Sequence, residues 1–192
     1  MKPPKSVDTV RRFIHWQYAV LIARSAGFEG NYGFVVSRYK KLESGEMTWS
    51  SSVRDYERDM DKGQICVYCG STTGLSTDHI VPTSRGGVDQ RIVAPLDSSD
   101  NCVRARKSCN SGKGDRDVFE WYGPERVADI PKLVLSKFLK LTYRLHETQG
   151  TLDLKDPNMD GTLDIYDLGV VITHLISKIS TEAKKRPGGA AP

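Results

Sequence analysis

The sequence has no apolar run of membrane-spanning length. Its longest candidate, YAVLIA at 18–23, is flanked by Arg11, Arg12 and Arg24 and falls far short of the ~20 residues a bilayer requires. His15, Trp16 and Gln17 interrupt any signal-peptide-like apolar region. No internal repeat is visible. Cysteine is scarce, with four in 192 residues. The expectation is therefore an intracellular chain, cytoplasmic and in a reducing compartment, with no membrane partner. In that setting thiols serve as metal ligands or buried groups rather than disulfides.

What is there is an ordinary globular composition, 38% hydrophobic and 27% charged. The net charge of +4 is a weak pointer to nucleic acid. Its distribution is more informative. Residues 101–116 carry Arg104, Arg106, Lys107, Lys113 and Arg116 against Asp115, whereas 153–167 carry Asp153, Asp156, Asp160, Asp164 and Asp167 against Lys155. A basic centre thus precedes an acidic segment.

Val7, Val10, Ile14, Tyr18, Leu21 and Ile22 recur at helical spacing, which predicts a helix over about 6–25. Gly27, Gly30 and Gly33 break it, and a shorter helix is expected around 33–42. A loop over 44–52 and a helical segment in SVRDYERDMDKG follow. Residues 64–124 hold all four cysteines and many turn formers, the look of a small metal-organised fold. Helices are expected over 130–146, with Pro131 in the first turn, and over about 165–179. The tail 183–192 reads as disordered.

Cys66 and Cys69 form a C-x-x-C, a spacing that lets two thiolates share one tetrahedral zinc. Cys102 and Cys109 are six residues apart and form no second knuckle. The stretch DNCVRARKSCNSGKGDRD at 100–117 ends in a Gly/Lys-rich turn entering a helix at about 110–120. Backbone N–H groups there, beside Lys113 and Arg116, suit phosphate.

In order, CVYCG, DHIVPTSRGG, DN and CNSGKGDR resemble the HNH endonuclease family, nucleases with a ββα-metal core. The resemblance covers residues 64–121, with the three naming positions falling on His79, Asn101 and Asn110. It implies that LSTDHIV is the first strand and that Asp78 and Asn110 ligate a catalytic Mg²⁺ or Mn²⁺. His79 would be the general base toward the attacking water. Asn101 would hold the loop and the histidine backbone. Arg85, Lys113 and Arg116 would hold phosphate. The product ends implied are 5′-phosphate and 3′-hydroxyl. The structural zinc would rest on Cys66, Cys69 and Cys109, but Arg106 stands where a fourth cysteine is usual. Cys102 lies about 13 Å away along an extended strand. Three states stay open: zinc with Cys102, zinc with three thiolates and another group, or no zinc. Zinc in some form is favoured. The stretch VDQRIVAPLDSS reads as an insertion.

DPNMDGTLDIYD at 156–167 fits a calcium loop. Asp156, Asn158, Asp160, Thr162 (through its carbonyl), Asp164 and Asp167 would be the ligands of a structural Ca²⁺. The loop and following helix resemble one dockerin half, or an EF-hand-like loop. His15, His146 and His174, like Trp16, Trp121, Tyr143 and Phe138, read as core or surface residues.

The expected fold class is α+β: a small ββα-metal core with a zinc knuckle, flanked by N-terminal and C-terminal helices. The expected organisation is a helical region at 1–60, a nuclease core at 61–124 and a helical region with the calcium-type loop at 125–182. The expected function is metal-dependent hydrolysis of DNA phosphodiester bonds, with RNA left open as a partner. Two alternatives remain: a non-catalytic zinc-dependent nucleic-acid-binding module, and a calcium-dependent protein-interaction protein.

Overall fold

A computed structural model describes residues 1–49, 64–87, 89–169 and 171–172. The helical segment expected in 52–63, most of the helix expected over 165–179, His174 and the tail 183–192 lie outside these residues.

Three helices make the main core. The first, α1 (Val10–Ser25), starts at Thr9, whose hydroxyl accepts the Arg12 N–H at 3.4 Å. Its apolar residues bury on nearly every side: Val10, Ile14, Trp16, Tyr18, Ala19 and Leu21 are each fully enclosed. A helix apolar all round must be covered from several directions, and α2 and α6 pack on it. The second, α2 (Tyr32–Glu43), is capped by Asn31, which accepts the Phe34 N–H at 2.9 Å. The turn between them passes through Gly27 and Gly30 at φ 77° and 81°, where a side chain would be strained.

The central section is smaller. Strand β1 (Leu75–His79) pairs antiparallel with β2 (Cys102–Arg106), with Leu75 opposite Arg106 and His79 opposite Cys102. Period-two alternation sends Val103 and Ala105 inward and Arg104 and Arg106 to solvent. Between the strands run a 3₁₀ turn (Thr83–Gly86), helix α3 (Gln90–Leu96) and a second 3₁₀ turn (Ser99–Asn101). The stretch read as an insertion is therefore mostly helix. Asp89 caps it, and Ile92 and Leu96 bury one face. After β2 come α4 (Lys107–Lys113) and α5 (Val118–Tyr122). The one helix expected over about 110–120 is thus two, separated by a turn through Gly114 at φ 61°. Asp117 and Glu120 form a capping box that restarts the chain as α5.

Helix α6 (Lys132–Gln149) buries Leu133, Val134, Phe138, Leu139, Leu141 and Leu145, and Gly150 at φ 69° closes it in the left-handed region. Lys137 of α6 donates to the Cys102 carbonyl at 2.8 Å, tying the ribbon to the bundle. One hydrophobic cluster runs from Val7 to Ile172 through all three helices and the inner face of the ribbon.

The α+β expectation is overturned. Among the described residues the sheet is a two-stranded ribbon, and the architecture around it is helical. A ribbon of two five-residue strands buries too little apolar surface to organise 192 residues. That role falls to the helices. None of the helices among the described residues is long and apolar enough to cross a membrane.

His146 is fully buried in α6, with Nδ1 2.8 Å from the Thr151 hydroxyl and Nε2 3.3 Å from the Leu168 carbonyl. Burial pushes its pKa down to about 4, against a small opposing effect of the Leu168 carbonyl. The folded state therefore refuses a proton that the unfolded chain accepts below about 6.5. No penalty exists above that pH. As pH falls from 6.5 toward 4, stability drops by about 3 kcal/mol from this group. Urea unfolding of the wild type and His146→Gln across that interval should show the wild type losing more stability than the variant.

Candidate metal centre

The C-x-x-C lies on the turn that precedes β1. The Cys66 N–H donates to the Ser71 carbonyl at 2.7 Å, the Gly70 N–H donates to the Cys66 carbonyl at 2.9 Å, and Gly70 sits at φ 72°. The Val67 N–H donates to the Arg104 carbonyl at 2.9 Å, which lays the knuckle against β2. Helix α4 then brings in Cys109. The three sulfurs lie within 4.8 Å of one another. Zn–S bonds near 2.3 Å place tetrahedral sulfurs roughly 3.8 Å apart, so the cluster is of the size a single ion needs.

The electrostatics favour a cation. Burial alone would raise the Cys66 thiol, but backbone N–H groups of Arg106, Cys69 and Tyr68, with the Cys69 thiol, outweigh it and lower its pKa. Cys109 is pushed up to about 12 by burial and by its two sulfur neighbours. A second negative charge is thus resisted in the cluster unless a cation shares the space. Cys102 does not belong to it. Its Sγ lies at the other end of β2, 3.5 Å from the Ser98 carbonyl. Strand rise keeps it there, so the zinc state using Cys102 is excluded. Arg106 joins the site through its backbone, and its side chain is exposed.

The residues expected to be catalytic do meet. Asp78, His79, Asn110 and Lys113 border one polar hollow of about 240 Å³. Their contacts differ from those expected. Asp78 is 3% exposed, and its carboxylate faces the Lys113 ammonium at 3.2 Å and accepts the Tyr68 hydroxyl at 2.6 Å. An ammonium on a buried carboxylate opposes a second cation there. Asn110 turns its amide nitrogen to the Thr77 carbonyl at 2.9 Å and to Ser76 Oγ at 3.3 Å. His79 is half-buried opposite Cys102. Asn101, fully buried, accepts the Val81 N–H at 3.0 Å and donates to the carbonyls of Val81 and Leu96, both at 2.7 Å.

Among the described residues, the three cysteines are the group of ligand side chains close enough to share an ion, and neither Asp78 nor His79 joins such a group. The reading as an HNH-type endonuclease, with Mg²⁺ or Mn²⁺ on Asp78 and Asn110 and His79 as base, is overturned on this arrangement.

The cations expected to hold phosphate are bound internally. Arg85 pairs with Glu120 and, at 3.5 Å, with Asp117. Lys113 also donates to the Arg116 carbonyl at 3.1 Å. Arg116 donates to the carbonyls of Lys113 and Gly112.

The calcium-loop reading also fails. Asp156 accepts the N–H groups of Asp160 and Gly161 at 3.2 and 2.8 Å, and Asp160 accepts that of Thr162 at 2.8 Å. Asp164 accepts the Tyr166 N–H at 2.7 Å. Fully buried Asp167 accepts those of Asn158 and Asp164 at 3.1 and 2.7 Å. Asn158 Oδ1 accepts the Asp160 N–H at 3.0 Å. These acids cap their own loop, as Asx turns do. Helix α6 ends at Gln149, before the loop begins, so no entering helix abuts it. No EF-hand-like or dockerin-like calcium site is evident among the described residues.

Two contacts had no local sequence signal. Tyr68, inside the knuckle, reaches Asp78, and burial with that carboxylate raises its own pKa. His15 faces Glu43 at 2.5 Å and stacks on Tyr143. Burial lowers the His15 pKa against the pull of Glu43. Comparison with protein-family models, with curated proteins and with solved structures returned no match.

The Asp78–Lys113 pair generates a stability prediction. Removing one partner leaves the other charge buried without a counter-charge, at a cost of roughly 3–5 kcal/mol. Lys113→Met should therefore unfold at much lower urea than the wild type. The double variant Asp78→Leu with Lys113→Met should recover part of that loss. Equal stability of the single variant and the wild type would refute the buried pair.

Proposed function

We propose that the chain is a non-catalytic nucleic-acid-binding module of a reducing, cytoplasmic compartment, organised by a structural zinc ion on Cys66, Cys69 and Cys109. The observation that carries this reading is the position of the three-sulfur cluster. It joins the knuckle to the start of α4 at the end of β2, where the Arg106 backbone N–H reaches Cys66. Three thiolates suit a borderline-soft cation, and oxygen-preferring Mg²⁺ or Ca²⁺ poorly. The ion's role is to hold elements together, since structural zinc supplies folding energy where apolar burial is small.

The partner class follows from charge. Arg104, Arg106 and Lys107 are exposed and make no ion pair among the described residues. Arg104 and Arg106 are two residues apart on a strand, so their stems emerge about 6.7 Å from one another on one face. Arg116, also exposed, extends the same positive section of chain. A two-stranded ribbon with a cationic face is a shape that fits a nucleic-acid groove. DNA is the partner proposed. Arg85 and Lys113 contribute indirectly, by fixing α4 and α5.

The test is fluorescence anisotropy of a labelled DNA duplex over a salt series, with RNA of the same sequence as comparison. Binding should weaken linearly in log–log form as salt rises. Arg104→Ala with Arg106→Ala and Lys107→Ala should flatten the slope by about one unit per cation removed. His79→Ala should bind as the wild type does. Metal analysis of the reduced protein should find one zinc per chain, and chelation should abolish binding. Duplex affinity indifferent to the triple variant and to chelator would sink the reading.

A further inference from the structure

Away from the ribbon, two hollows adjoin on the helical section. One, of about 250 Å³, is bordered by His15, Leu42, Met47, Trp49 and Tyr143. The other, of about 240 Å³, is bordered by Lys137, Lys140 and Arg144 with Asp100 and Glu147. Trp49 and Tyr143 border both. An aromatic and aliphatic hollow thus meets a charged one across a shared pair of rings.

The shared rings are held in place. Tyr143 of α6 stacks on His15 of α1 with ring centroids 5.5 Å apart, and its hydroxyl accepts a hydrogen bond from the Arg11 guanidinium at 3.1 Å. His15 is itself fixed by Glu43, 2.5 Å from its Nδ1. Trp49, from the loop after α2, meets Tyr143 at 86° and 5.4 Å, and buried Tyr18 at 71° and 4.7 Å. Edge-to-face packing orients a ring, yet Trp49 and Tyr143 are each only half-buried. Rings locked by their neighbours but left part-open receive a planar group at little cost in ordering.

The charged hollow lies alongside. Lys137, Lys140 and Arg144 share one face of α6 at i, i+3 and i+7. Lys137 is committed to the Cys102 carbonyl at 2.8 Å. Lys140 Nζ stands 5.9 Å from the Tyr18 ring centroid, near the aromatic side. Arg144 pairs with Asp100 at 2.7 Å, but both side chains are more than half exposed. Such a surface pair is weak enough to yield its guanidinium to a phosphate. Three cations against two acids leave the hollow net positive.

We propose that the two hollows together bind one unpaired nucleotide. Its base stacks in the aromatic hollow against Trp49 and Tyr143, and its phosphate meets Lys140 and Arg144. A base within a duplex has both faces covered by its neighbours, so the site selects a free nucleotide or an unpaired position of a strand. Its residues come from the helical section and none from the ribbon, so the proposal does not rest on the ribbon's binding of DNA.

The probe is a short, 5′-phosphorylated oligothymidylate with a fluorescent label at its other end, followed by anisotropy with the full chain. Competitors are the unlabelled strand, thymidine monophosphate and ribose 5-phosphate. A strand carrying 5-iodouracil is also cross-linked to the wild type by light, and peptide mapping locates the attachment. The expected result is saturable binding with a cross-link at Trp49 or Tyr143. Ribose 5-phosphate, which has no base, should compete about tenfold less well than thymidine monophosphate. Thymidine monophosphate competing as well as the unlabelled strand would support a free-nucleotide site; weaker competition would support the strand as the source. Trp49→Ala should weaken binding about tenfold. Lys140→Gln with Arg144→Gln should do so too and reduce its salt dependence. If Trp49→Ala fails to fold, the charge variant and the wild-type cross-link still decide. Absence of binding, a cross-link confined to the ribbon, or ribose 5-phosphate competing as well as the nucleotide would overturn the proposal.

Discussion

The carboxylate of Asp78 is where the small central section is tied together. It sits on β1, accepts the hydroxyl of Tyr68 from the knuckle, and pairs with Lys113 at the end of α4. Knuckle, strand and helix thus meet on one buried charge. In surroundings from which water is excluded, such a charge is tolerable only when its oxygens are occupied, and here both are. The same three elements carry the cysteines or flank them: Cys66 and Cys69 on the knuckle, Cys109 on α4. The geometry of the sulfur cluster therefore depends on the Asp78 contacts as much as on the cysteines' own turns.

This also explains how the most suggestive motif of the sequence misleads. Asp78 and His79 read as chemistry because they stand in an order of motifs that resembles a nuclease core. The acid does have a purpose, but an architectural one. Local sequence could not reveal it, because Lys113 lies in a Gly/Lys-rich turn that resembles any solvated basic loop. Its burial is decided by a partner on another element. The acidic loop is parallel. Asp156, Asp160 and Asp164 match calcium-ligand spacing, but the same spacing serves acids that cap the backbone N–H groups of their own turns.

Other features were plain in the chain. Val10, Ile14, Leu21 and Ile22 marked α1, and the Leu, Phe and Leu spacing after Pro131 marked α6, because amphipathic periodicity is a local property. The strand at Cys102–Arg106 was anticipated only through the resemblance, as the extended stretch separating Cys102 from Arg106. The C-x-x-C and Cys109 were recognisable as a group able to share a metal ion from the knuckle spacing and resemblance, whereas Cys102 was left open as a fourth ligand and lies outside the cluster. Pro95 hid α3, since proline argues against a helix even where it is accommodated near the end of a short one. Gly114 was the opposite case, a break signal that the reading of one helix over about 110–120 passed over. What could not be read was every contact that joins distant elements, and the relative weight of helix bundle and ribbon.

That weighting bears on why the section would want a metal. The ribbon's inward side chains are small and few: Val103 and Ala105 from β2, with Val67 from the knuckle. At about 25 cal/mol per Å² such residues stabilise little against the entropy of ordering turns rich in glycine, serine and threonine. The outward face adds little apolar surface, because Leu75 stands there among Arg104, Arg106 and Thr77. Such a ribbon can be cationic outside only if something other than an apolar core fixes it inside. The Asp78–Lys113 pair supplies specificity but little net stability, since desolvation offsets most of its attraction. A metal on three thiolates would supply stability without needing volume. With an ion bound, the sulfur cluster would let a thin element keep Arg104 and Arg106 outward.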